Sequence, residues 1–215
     1  MNWNAEELRS RFAVFGRFYE AVLGGRRFEL RSHLEVFERE ITWPNAATAD
    51  ADLVAIMMNP GASRPLEPPD RDGWAVTLPD RTQYQLMRLA LFARSKGRRI
   101  RHIRVINLSD LRTPRSAALF EALRTLGDDR HSIFSSHRRA ELGRALGAAA
   151  TPLLRAWGMD PALEPLATAA IESTCQMRVL GLTYDHLHYR HPLPQRADLQ
   201  AQWLAEIGRQ IGRLD

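Results

Sequence analysis

Apolar residues recur along this chain with two different periods. Over residues 4–20, Leu8, Phe12, Phe15 and Tyr19 follow at helical spacing, and Gly24-Gly25 ends the segment, so a helix is expected there. Over residues 27–40 the pattern is double. Phe28, Leu30, Leu34 and Val36 alternate as in a strand, whereas Leu30, Leu34, Phe37 and Ile41 fit a helix, and strands are the expectation. After Asp52 one theme repeats: a short apolar run whose exit carries polar or glycine residues. Residues 53–58 run into Asn59-Pro60-Gly61, and 103–106 into Asn107-Leu108-Ser109-Asp110. Residues 151–156 run into Trp157-Gly158, and 177–182 precede the segment TYDHLHYRHPLPQ. Amphipathic helices are expected at 83–95, 116–126, 138–149, 161–173 and 197–211. Strands alternating with helices imply an α/β fold, three layers of α/β/α around a central, mainly parallel four-stranded sheet. In such sheets ligands bind outside the carboxyl ends of the strands, so the four exits should meet on one edge.

A chain of 215 residues suits one domain, with residues 1–50 an N-terminal extension of helix and strand or helix, and 51–215 the α/β core. The apolar runs fall short of the roughly 20 residues that span a bilayer, and the start lacks a basic-then-apolar leader. A cytoplasmic protein that does not engage a membrane is therefore expected. The single cysteine, Cys175, excludes an intramolecular disulfide, a zinc-thiolate site and an iron-sulfur centre, and is expected to be a small buried hydrophobe. The net charge is +5 with a pI near 10.1, and Lys96 is the one lysine among 30 basic residues. Arginine forks onto phosphate and stacks on bases, which favours a polyanionic partner; a solvated arginine-rich surface is the alternative.

At a strand exit, the Asn59 carbonyl oxygen can hold a water, Pro60 stiffens the turn, and Gly61 lets a ligand approach the backbone. The plainer alternative is an ordinary turn capped by Asn59. His186, His188 and His191 cluster after the fourth strand, in a loop stiffened by Pro192 and Pro194. A histidine there can donate to a developing anion, a His-x-His pair with Asp185 could instead take a metal, and the first two could be plain surface residues. In the proline-rich loop 61–81, Trp74 can stack on a base or pin the loop, and Arg64 and Arg71 can approach phosphate. The basic run 93–104 enters its strand opposite the crevice and reads as a solvated connection.

These motifs carry a resemblance. "MMNPGAS" resembles the first motif of the uracil-DNA glycosylase superfamily, in particular its mismatch-specific thymine/uracil branch. "VINL" is similar to its second-strand motif, "LLRAWG" to the third-strand motif and "RHPLP" to the terminal His-Pro motif. The chain also resembles a bacterial family of unknown function marked by Met-Leu-Asn-Pro-Ser. The matching positions are Met58-Asn59-Pro60-Gly61, Asn107-Leu108, Arg112-Thr113, Gly127-Asp128-Asp129 and His191-Pro192-Leu193.

The resemblance implies a glycosylase-like fold and a monofunctional DNA N-glycosylase that needs neither metal nor cofactor and acts as a monomer. Asn59 would position the attacking water, Asn107 would read the base edge, and His191 would stabilise the departing base. Gly61 stands where the uracil-specific branch has an aromatic residue, which opens the pocket to a base larger than uracil. Trp74 would join the base-binding set, with Ser63, Arg64, Arg190 and Leu193 contacting DNA, the last as a candidate wedge. The superfamily includes phage-defence enzymes that remove glucosylated hydroxymethylcytosine, so a 5-substituted cytosine is the leading substrate; a thymine or uracil mismatch and an etheno-base are alternatives. Two other classes compete: a hydrolase of free nucleosides or modified nucleotides, and a nucleic-acid-binding module without chemistry.

Overall fold

The computed structural model describes residues 3–214. Its centre is one eight-stranded mixed sheet in the order β4-β5-β1-β2-β6-β3-β7-β8. The strands are β1 (Phe12–Leu23), β2 (Arg26–Glu38), β3 (Leu53–Met57), β4 (Arg64–Pro65), β5 (Trp74–Leu78), β6 (His102–Asn107), β7 (Leu153–Arg155) and β8 (Val179–Leu180). The α/β class holds, but the expected central, mainly parallel four-stranded sheet does not: the sheet has eight strands, and most of its pairings are antiparallel. The four expected strands run parallel as β6-β3-β7-β8, and an antiparallel half is hydrogen-bonded to β6 through β2. Two ladders, β2 with β6 and β1 with β5, therefore join residues 1–50 to the rest of the chain. A buried β6 edge would otherwise leave unpaired backbone groups, and β2 supplies their partners.

The helix expected over residues 4–20 is mostly strand. Helix α1 (Ala5–Arg11) starts with a capping box between Asn4 and Glu7 and stops at Phe12. From there Phe12, Val14, Gly16 and Phe18 are buried at a period of two, and the aromatic and β-branched composition fits a pleated surface. The helical spacing of Phe12, Phe15 and Tyr19 is a coincidence of that alternation with residues packed on both faces. Gly24-Gly25 turns a two-residue hairpin rather than ending a helix, and both have the positive φ that this tight turn requires.

Strand β2 carries a bulge. Arg17 lies opposite His33 and Phe18 opposite Arg31, which leaves Ser32 as the extra residue. Its effect on facing is direct. Leu34 and Val36 join the apolar cluster that contains α3 (Arg81–Ser95) and α7 (Ala197–Gly212). Across the bulge, Leu30 and Phe28 join the cluster on the opposite face, with α4 (Ser116–Thr125), α5 (Arg139–Leu146) and α6 (Glu164–Ser173). Strict alternation would have put Leu30 and Leu34 on one face and Arg31 on the other.

Helices thus cover both faces, with α2 (Trp43–Thr48) near the antiparallel end. On the first face α7 buries Trp203, Ile207 and Ile211, a contribution of roughly 1.5–3 kcal/mol for each fully buried side chain. The loop 61–81 is partly structured: β4 and β5 pair with each other, and β5 pairs with β1. Cys175, expected to be buried, is exposed in the turn after α6. The basic run pairs with acidic residues of β2 and its exit: Arg94, Arg99 and Arg101 lie within 4 Å of Glu38, and Arg99 and Arg101 also reach Glu40.

Candidate functional site

The exits of β3 and β6 open into a cavity of about 340 Å³, in the lower part of the range for small-molecule sites. Leu34 of β2, Met57 of β3, Val105 of β6 and Leu86 of α3 form its apolar wall, Asn107 of β6 lies beside them, and the first turn of α3 closes one side. Asn59, Gly61, Asn107 and His191, singled out from sequence, all line it.

The Asn59 side chain has a defined orientation. Its Nδ2 donates to the carbonyls of Leu111 and Thr113 at 3.1 and 3.0 Å and lies 2.9 Å from Thr113 Oγ1. Two of these partners only accept, so the amide cannot be the other way round. Its Oδ1 makes no hydrogen bond among the described residues and remains available to hold a donor such as water. Gly61 follows with φ 65°, a conformation that disfavours any side chain, and a Cβ there would lie 3.1 Å from Asp80 Oδ2.

Asn107 is fully buried, and neither its Oδ1 nor its Nδ2 has a protein partner. A buried donor and acceptor without partners cost stability unless something polar meets them. His191 lies on the loop between β8 and α7. Its Nδ1 accepts the backbone N–H of Leu193 at 3.2 Å, which places the proton of the neutral ring on Nε2. Burial lowers its pKa below the ordinary histidine value, against smaller opposing effects of the Leu193 hydrogen bond and Asp80. The loop that carries it is anchored from both faces. Trp157 Nε1 donates to the Leu187 carbonyl, the Gly158 N–H to the Tyr189 carbonyl, and Trp203 Nε1 to the Arg190 carbonyl.

Sequence reasoning missed two residues of this cavity. Asp80 caps α3, its Oδ1 accepting from the N–H groups of Thr82 and Gln83, and it is the one carboxylate lining the cavity among the described residues. Its Oδ2 faces Gly61 without a hydrogen bond among the described residues. The capping box Asp80–Gln83 was readable as a helix start, but not its orientation toward Gly61. Arg31 is the other, brought to the cavity side by the β2 bulge, with its side chain 2% exposed. Burial lowers its pKa to about 10, partly offset by Asp80 and Asp110, so it stays charged at neutral pH.

The remaining expectations scatter. Trp74 lies outside the cavity lining. It sits on β5, edge-on to Trp43 at 4.8 Å, in an aromatic group with Phe15, and borders a separate hollow with His33, Glu35 and Glu141. It pins the antiparallel end of the sheet, because the loop that carries it forms strand β5 beside β1. Ser63 is fully buried, and its carbonyl accepts from Arg112 Nε, so its side chain is not at the surface. Arg64 is exposed on β4, and Arg71 is exposed in the turn before β5. Arg190 is exposed and, with His191, borders an apolar hollow beside Met159, Tyr184 and Trp203; Leu193 is half-buried next to His191. His188 Nδ1 is bonded to Asp185 within the loop at 2.8 Å, and His186 is exposed.

Among the described residues no group of three His, Cys, Asp or Glu side chains is placed to hold a metal ion, and no helix is long and apolar enough to cross a membrane. In comparisons with known proteins, no family model, curated protein or solved structure matches this chain.

Proposed function

We propose that the protein is a DNA N-glycosylase of the uracil-DNA glycosylase superfamily type, acting as a monomer on cytoplasmic DNA. In this reading residues 51–215 are its glycosylase-like core, and a flipped base occupies the cavity at the exits of β3 and β6. The observation that carries the reading is the polarity of the cavity. Asn59 presents a free amide oxygen, Asn107 a wholly unpaired amide and His191 a free Nε2–H, all on one chamber.

An N-glycosidic bond breaks with positive charge on the sugar and negative charge on the base, so the site must orient water and stabilise an anion. Asn59 Oδ1 accepts a hydrogen from the water and aims its oxygen at C1′. Asn59 is a poor base, and Asp80 is the nearby carboxylate able to take the water's proton. Asn107 reads the donor and acceptor pattern of the base. His191, neutral, donates from Nε2 to the departing base. Gly61 leaves room for a substituent, and a 5-substituted cytosine such as the glucosylated hydroxymethylcytosine of phage DNA is the leading substrate, with a thymine or uracil mismatch and an etheno-base behind it.

An abasic-site assay tests this. Purified protein is incubated with DNAs carrying uracil, a thymine mismatch, hydroxymethylcytosine or its glucosylated form, and the products are cleaved with alkali. Strand breaks on one substrate, lost in Asn59→Ala, are the expected result and identify the base. Breaks on none of them would overturn the reading in favour of a hydrolase of free nucleosides or a binding module.

A further inference from the structure

Arg31 has no role in the reading above. Its Nε and Nη1 are buried without a protein partner, and it forms no ion pair among the described residues. The other two buried arginines among the described residues differ from it in being held by their guanidinium ends. Arg104 is held by Glu35 and the Ala49 carbonyl, and Arg155, although its Nε is also unpaired, by Tyr189 and Thr174. The half-buried Arg138 is held by Asp110 and Glu141. Structural arginines in this fold are thus tied down, as the cost of burying an unpaired charge requires.

Three facts point Arg31 at a ligand. It lines the cavity, it is brought to that side by the irregular step at Ser32, and it shares the chamber with Asn107, whose amide is equally unpaired. β-Bulges that re-aim a side chain are common beside active sites. We propose that Arg31 is the anion-recognising group of the cavity, taking the keto oxygen of a nucleobase as that oxygen acquires the charge of the departing base.

The proposal rests on the glycosylase reading for its chemical step. The C1′–N bond breaks, its electron pair passes to the base nitrogen, and the resulting charge delocalises onto the keto oxygen facing Arg31. Water gives its oxygen to C1′ and its proton, by way of Asp80, to the base. The products are a hydroxyl at C1′ and the neutral free base. A base without an oxygen or ring-nitrogen acceptor on this edge would leave Arg31 unpaired and bind poorly.

The test is calorimetric binding of free bases to the full chain, which does not depend on DNA or turnover. The probes are 5-nitrouracil, ionised at neutral pH, and thymine, which is neutral. The wild type should bind the anion, and Arg31→Gln should weaken it by roughly tenfold to a hundredfold while changing thymine much less. Arg31→Gln should keep the wild-type thermal midpoint or exceed it, because an unpaired buried charge is removed. If Arg31→Gln fails to fold, Arg31→Lys is the second variant, expected to retain a preference for the anion. Failure of the wild type to bind the anion, or equal binding by wild type and Arg31→Gln, would overturn the proposal. Arg31-dependent binding without excision from any DNA would leave this site standing and overturn the glycosylase reading instead. Excision at the same rate in wild type and Arg31→Gln would do the reverse.

Discussion

At the scale of single residues, Asp80 separates structure from chemistry. Asparagine caps helices about as well as aspartate, so Asp80→Asn should keep α3 and a thermal midpoint near that of the wild type. If Asp80 accepts the water's proton, single-turnover excision should fall by roughly 10² or more, and an unchanged rate would remove it from the mechanism. Asn59, Gly61, Asn107 and His191 were legible in the sequence because strand exits in a parallel array converge whatever the rest of the fold does. Asp80 and Arg31 were not. Which way the second oxygen of a capping carboxylate faces is set by tertiary packing, and the facing of Arg31 is set by a bulge that local alternation does not announce. Trp74 misled for the opposite reason: a large aromatic in a polar loop reads as a platform, and here it is an internal brace.

At the scale of elements, the cavity depends on α3 being held against α7. Their close approach is made at Gly208, where a Cβ would overlap the ring of Phe92. Gly208→Ala should therefore force that ring aside and cost about 1–3 kcal/mol, read as a lower thermal midpoint or denaturant midpoint. A larger loss of excision than of stability would show that the displacement reaches the first turn of α3. The helices from α3 onward were readable from their periodic apolar faces to within a few residues. The hairpin was readable only in part. Strand β1 hides inside a pattern that also fits a helix, and only pairing with β2 and β5, remote in sequence, decides between them.

For the molecule as a whole, buried histidines link folding to pH. Burial is the main cause that lowers the pKa of His33 to about 4, with the Glu141 charge opposing it, and His131 and His191 are lowered in the same way. A lowered histidine binds its proton more weakly in the fold than in the unfolded chain. Its contribution is therefore complete above the ordinary value near 6.5 and is lost as pH falls toward about 4. For His33 this amounts to about 3 kcal/mol. Asp110 runs the other way, since burial pushes its carboxyl up to about 6 despite its contact with Arg138. The informative quantity is thus the difference between wild type and His33→Gln. The wild type should lose stability faster between pH 6.5 and 4, and parallel curves from thermal unfolding would show that His33 is not the linked group. The bulge, too, acts on the entire antiparallel half. A strand is written in an alphabet of two faces, and Ser32 is a one-letter insertion in it. Everything from Arg26 to Arg31 is read in a shifted frame, so drawing Ser32 into the regular pleat would turn the guanidinium out of the chamber, whereas deleting that one residue would leave Arg31 on the face of Leu34.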